Sequence, residues 1–218
     1  MKLSIPTRFG FAALALASST FASASMPVPA VYTQGFEDLA SSGWLLTNNS
    51  TPAGLSWFQG VPESLSAQAG ASNSFAMATY NSAANGVGAI ENWLISPEIA
   101  LNGATDLSFW ARTEDTAGFA DTVKVYFSAG ASSDTASFTT LLNTFSAATS
   151  WWQYSGALPT AASGRIAFVY AVADAETANV VAIDSVSITT AVPEPSSYAL
   201  MGLGLCAIAF ARRKARAK

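Results

Sequence analysis

The chain has no histidine, and its single cysteine is Cys206. Without an imidazole there can be no Ser-His-Asp relay, no Cys-His pair and no His-ligated zinc. The reactive inventory is therefore carboxylate, with fourteen Asp and Glu in the chain. Two carboxylates can hydrolyse a glycosidic bond, one as acid and the other as nucleophile or base. Several together can hold a hard cation. The densest groupings are Glu114, Asp115 and Asp121 in segment 113–121, and the pair Asp174 and Glu176. Neither follows the Asp-x-Asp-x-Asp-Gly spacing of a calcium loop, and no pair sits in a recognisable catalytic motif. Both groupings read as solvated hairpin loops, and no catalytic residue is assigned.

Six Trp residues are the second chemical resource, because an indole face can stack on a sugar ring. Trp151 and Trp152, with Tyr154 close by, are the adjacent pair. Neighbours in a strand point to opposite faces, so one of the two should turn outward, where it can contact a glycan. Trp44, Trp57, Trp93 and Trp110 are expected to fill a core, where aromatic rings bury large areas. Asn49-Ser50-Thr51 satisfies a glycosylation sequon but reads equally well as a turn.

These residues sit in the middle of three chemically different segments. Residues 1–24 carry Lys2 and Arg8, then the apolar run 9–17, then Ala22-Ser23-Ala24 before Ser25. A basic start, a short apolar core and small residues at the cut describe a cleaved Sec signal peptide, with Ala24/Ser25 the bond broken. At the other end, sixteen uncharged residues from Ser196 to Ala211 precede Arg212-Arg213-Lys214. As a helix they rise about 24 Å, predicting a short transmembrane helix that holds a precursor in the inner membrane with its basic tail inside. Cys206 lies within this apolar run and reads as a small packing residue rather than a nucleophile. Residues 25–195 hold all fourteen acids against three bases, Arg112, Lys124 and Arg165. A domain this acidic lacks the Lys and Arg clusters that neutralise phosphates, which argues against nucleic acid as a partner.

The elements that position the chemistry are nearly all strands. Segments 106–112, 121–128, 165–173 and 180–188 alternate polar with apolar, as a half-buried strand requires. Further strands are expected at 31–36, 43–47, 74–79, 91–95 and 151–157, separated by turn-forming clusters. Residues 64–71 and 144–150 are Ala-rich enough for single helical turns. Many short strands with regular turns predict an all-β chain built as an antiparallel jelly-roll sandwich, with domain bounds of 25–191.

Two resemblances extend this reading. Val192-Pro193-Glu194-Pro195, the short Gly-containing apolar helix and the Arg-rich end resemble, over residues 192–218, the PEP-CTERM sorting signal of Gram-negative bacteria. That resemblance implies processing by an exosortase near Pro193, Glu194 and Pro195. Gly35-Phe36-Glu37, Gly43-Trp44, Trp57, Glu91-Asn92-Trp93-Leu94-Ile95-Ser96-Pro97, Leu107-Ser108-Phe109 and Ile183-Asp184-Ser185-Val186 resemble the choice-of-anchor J domain. That family is similar to cleaved adhesin and MAM domains, with Ser185 here where a second Asp is usual. The resemblance implies a structural Ca²⁺ with Glu37 and Asp184 as side-chain ligands, brought together if the first and last strands lie side by side. It also implies an exported, non-enzymatic surface or matrix protein in adhesion or exopolysaccharide association. The alternative is a carbohydrate-binding module contacting surface glycans through Trp151 or Trp152, with a carboxylate glycosidase behind it.

Overall fold

The computed structural model describes residues 30–101, 103–114, 116–190 and 197–216. The expected signal peptide with its Ala24/Ser25 bond, and the Pro193-Glu194-Pro195 motif, lie outside the described residues. Among the described residues twelve strands follow in chain order: β1 Ala30–Gln34, β2 Leu45–Asn48, β3 Phe58–Gln59, β4 Ala76–Thr79, β5 Ile90–Ile95 and β6 Ile99–Ala100. Then come β7 Thr105–Arg112, β8 Thr122–Ala129, β9 Thr140–Ser146, β10 Trp152–Leu158, β11 Ser163–Val172 and β12 Val180–Thr190, and last the helix α1 Ser197–Arg216. All pairings are antiparallel. One sheet runs β10-β7-β12-β4-β3, with β1 also on β12; the other runs β2-β5-β11-β8-β9, with β6 also on β11. The two face each other as the expected β-sandwich.

The alternation in β7 shows how sequence makes this layer. Thr105, Leu107, Phe109 and Ala111 are buried while Asp106, Ser108, Trp110 and Arg112 are not, so one edge of the pleat is apolar and the other polar. The facing strand β11 supplies Ile166, Phe168 and Tyr170, each at most 1% exposed. Between the sheets, Trp44 stacks on Phe168 with centroids 5.9 Å apart, and Phe109 meets Phe168 edge to face at 4.7 Å. Trp57 is buried with its indole N–H donated to Asn92 O at 2.9 Å. A buried indole needs that partner.

Each sheet also carries a smaller apolar cluster on its outer face. Segment 61–74 folds over the first sheet, its Leu65 packing with Phe75, Met77, Val180 and Ala182. On the second sheet Trp93, Ile95, Phe138, Ala167 and Val169 pack together, Phe138 arriving from the connection between β8 and β9. This placement corrects two expectations. Trp93 is buried, but outside the sandwich centre. Trp110 is half-buried on the outer face, because the inward positions of β7 are the odd-numbered ones.

Two further expectations give way. Residues 64–71 form turns, and 144–146 belong to β9, so neither Ala-rich piece is helical. Helix α1 is present, but among the described residues no helix is long and apolar enough to cross a membrane. The reason is Arg212, Arg213 and Lys214, which fall within every eighteen-residue stretch of α1. Met201, Leu203, Leu205 and Ile208 are exposed along it.

Candidate functional site around Asp184 and the tryptophan pair

The first and last strands do lie side by side, with Gln34 opposite Val186 in an antiparallel ladder. Strand β12 also pairs with β7, and that ladder breaks between Asp184 and Ser187. Ser185 occupies the break with φ of 49°, a left-handed conformation that side chains resist. Such a bulge re-aims the residues beside it. Here it lets the Ser185 amide turn back onto the Asp184 carboxylate, donating to Oδ1 at 2.5 Å.

Asp184 is fully buried. Its Oδ2 accepts the Gln68 amide at 2.8 Å and the Ala69 amide at 3.1 Å, from segment 61–74 lying over the sheet. Burial pushes this carboxyl above the usual carboxylate range, and the amides of Ala69, Ser185 and Gln68 pull it only partly back. Ser185 Oγ donates to Gln68 Oε1 at 2.7 Å, closing the ring of contacts.

This geometry decides how the carboxylate can act. A calcium ion needs six to eight oxygen ligands with lone pairs turned toward it. Oδ2 of Asp184 already accepts two N–H groups, and the third donor occupies Oδ1. Glu37 is exposed and lines a hollow of about 380 Å³ with Gly35, Ser185 and Ser187, to which Asp184 does not contribute. Among the described residues no group of three or more His, Cys, Asp or Glu can hold a metal. The donor set does not fit a calcium cage on Glu37 and Asp184, and Asp184 acts instead as an acceptor for loop amides.

The same segment holds one member of the tryptophan pair. Trp151 donates its indole N–H to Ser66 O at 2.9 Å, packs edge to face against Phe75 and lies 6.0 Å beneath the Arg112 guanidinium. Trp152, next along the chain, opens β10 at the edge of the sheet and is 62% exposed. The two take opposite faces: Trp151 lies on the outer face under segment 61–74, while Trp152, opposite Ala111, is on the inward side of β10 but stands in solvent at the sheet edge. Asp184 and Trp151 are thus joined through residues 66–69, a link that nothing in their own neighbourhoods announces.

A second buried carboxylate corrects the reading of segment 113–121 as simply solvated. Asp121 is 4% exposed. It accepts the Tyr170 hydroxyl and the Asn179 amide on Oδ1, the latter at 2.9 Å, and the Thr113 hydroxyl on Oδ2 at 2.6 Å. Burial first, then the Asp121 charge, drives the Tyr170 phenol far above its ordinary range. A hint was available in sequence: Asp121 opens the alternating segment 121–128, where a carboxylate can reach inward.

The sorting-signal expectation has a direct counterpart. A model of the PEP-CTERM protein-sorting motif matches residues 191–216. No curated protein matches the chain. Among solved structures, the K1 cleaved adhesin domain of Lys-gingipain from Porphyromonas gingivalis W83 superposes with a TM-score of 0.64 at 20% identity, covering 75% of this chain and 99% of that one. The K3 cleaved adhesin domain of the same protein gives a TM-score of 0.60 at 22% identity, over 75% and 99% of the two chains. At these identities the likeness is one of fold.

Proposed function

We propose that this chain is an exported protein whose β-sandwich is presented at the cell surface or in the extracellular matrix, for adhesion or exopolysaccharide association, after exosortase removes its tail. The observation that carries this reading is the sorting motif at 191–216, which begins one residue after β12 ends at Thr190. A domain closed by its last strand and followed at once by a sorting signal suits release or attachment of the sandwich as a unit. The shared fold with cleaved adhesin domains supports a binding rather than a catalytic role. The acidic composition of residues 25–195 favours solubility outside the cell.

Mass spectrometry of the protein recovered from cells and from medium tests this. The expected mature form lacks Arg212 to Lys218. A surface protein that retains its Arg-rich end overturns the proposal.

A second reading, contact with surface glycans, is favoured by Trp152, a large indole left in solvent on an edge strand. Loss of glycan-array binding on Trp152→Ala would support it.

A further inference from the structure

We infer that the hollow lined by Tyr80, Asn85, Phe119 and Glu176 binds a neutral pyranose ring of a polysaccharide. The inference rests on the glycan reading and moves its contact away from Trp152. The hollow measures about 440 Å³ and is also lined by Gly86, Ala175, Ala178 and Asn179. Its position is set by three connections that meet at one end of the sandwich: the turns after β4, the stretch before β8 and the turn before β12.

Two aromatic side chains stand in it partly open to water, Tyr80 at 42% and Phe119 at 41% exposure. Among the described residues neither ring stacks on another aromatic side chain. The trough over the second sheet, about 450 Å³, is different: its rings, Trp93 and Tyr126, already stack on each other at 5.5 Å. Free aromatic faces in a concave site suit the C–H face of a sugar, since a flat apolar surface there gains by losing its water.

The walls are held in place before any ligand arrives. The Tyr80 amide donates to Asn179 O at 2.9 Å, Ala120 N to Thr177 O at 3.0 Å and Ala175 N to Gly88 O at 2.7 Å. Beneath them the buried Asp121 takes the Asn179 amide together with the Tyr170 and Thr113 hydroxyls. A site whose loops are already ordered loses less entropy on binding. This gives the Asp121 cluster a positioning role.

Charge selects the class of sugar. The lining offers two amides, Asn85 and Asn179, the latter already donating to Glu114 and Thr116, and a carboxylate, Glu176, but no Lys or Arg. It sits in a segment, 25–195, with fourteen acids and three bases. A uronate would meet repulsion from Glu176 and from the excess of acids around it. A neutral ring brings hydroxyls that donate to Glu176 and exchange hydrogen bonds with Asn85, and it keeps its apolar faces for Tyr80 and Phe119.

The test is isothermal titration of the full chain with cellohexaose, xylohexaose, laminarihexaose and, as the acidic comparison, polygalacturonate. At least one neutral oligosaccharide should bind. Tyr80→Ala and Phe119→Ala should each weaken it roughly tenfold, the scale for truncating an aromatic anchor, while Leu141→Ala, at an exposed position of β9 away from the hollow, should leave it intact. The Tyr80 ring packs against Gly86, where a Cβ would fall 2.8 Å from it. Tyr80→Ala removes that packing as well as the sugar contact, so Phe119→Ala tests the site away from it. Binding lost on Trp152→Ala but kept in Tyr80→Ala and Phe119→Ala would leave the glycan reading standing and sink this site. No binding of any neutral oligosaccharide, or tighter binding of polygalacturonate, overturns the proposal.

Discussion

Replacing Asp184 with alanine tests the central claim about the 61–74 segment. The side chain is fully buried and is the acceptor for three backbone amides, those of Gln68, Ala69 and Ser185. Each buried donor left without a partner costs about 1–3 kcal/mol. Three of them at the low end give roughly 3 kcal/mol, since removing a desolvated carboxylate returns part of the loss. Against a total stability of about 5–15 kcal/mol that is a large fraction. The measurement is urea unfolding followed by tryptophan fluorescence, paired with hydrogen exchange at the Gln68 and Ala69 amides. Both amides should lose protection before the rest of the sandwich, because Asp184 ties them across more than a hundred residues. A loss below about 1 kcal/mol, with protection at 68 and 69 unchanged, would refute the reasoning. The pH dependence adds a second arm. The folded Asp184 carboxyl lies above its unfolded value of 3.8, so in that window the folded state binds more protons. Its contribution is full below 3.8 and is lost as pH rises through the folded value. In Asp184→Asn that component of the slope should vanish.

Other expectations follow from the same contacts. Tyr170 sits above its ordinary value of 10.0, so stability should fall as pH rises past it, by about 1.4 kcal/mol per pH unit for each proton involved. In Tyr170→Phe an alkaline unfolding titration should show a slope smaller by one proton. Adding Ca²⁺ or a chelator should leave the melting temperature unchanged, as the Asp184 oxygens already face amides; a saturable rise with Ca²⁺ would show that the carboxylate can be pulled from them. Phe168→Ala removes the ring between Trp44 and Phe109 and should cost about 3–5 kcal/mol in urea unfolding.

The strands that bury one face were legible because their alternation survives in the residues, as in Asp106 to Arg112. Strand β9 was not, since its side chains are exposed or half-exposed along both faces and leave no apolar stripe to read. The aromatic residues show a similar divide. Trp44 and Trp57 fill the centre as composition suggests, but Trp93 and Trp110 lie on outer faces that only the pleat of their strands could assign. Asp184 is singled out in the sequence only through the resemblance carried by Ile183-Asp184-Ser185-Val186; its partners are backbone amides of a loop 115 and 116 residues away, and an amide carries no sequence signature. Tyr80 and Phe119 were missed for a related reason. Each is a single aromatic beside Asn or Gly in a turn, where no periodicity marks it, and only the folded chain brings the two turns together.

The two buried aspartates solve one problem with the same chemistry. The sole cysteine is Cys206, in helix α1 beyond the sandwich, so no disulfide within the domain can fasten its long connections, and the donor set at Asp184 does not suit a cation. A connection covering a sheet must still satisfy its own amides, because a buried N–H without a partner is costly. Asp184 takes two amides from segment 61–74, and Asp121 takes one from the turn before β12 together with two hydroxyls. A carboxylate suits this work because it offers several acceptor sites and no donor, so it can gather N–H and O–H groups from separate strands at one point. The cost is desolvation, visible in the upward displacement of the Asp184 carboxyl. The return is geometric: one aspartate holds the cover over the sheet that Trp151 leans on, and the other holds the turns from which Tyr80 and Phe119 project. Loops tied down at such carboxylates can then differ in their exposed residues while their anchor points stay fixed.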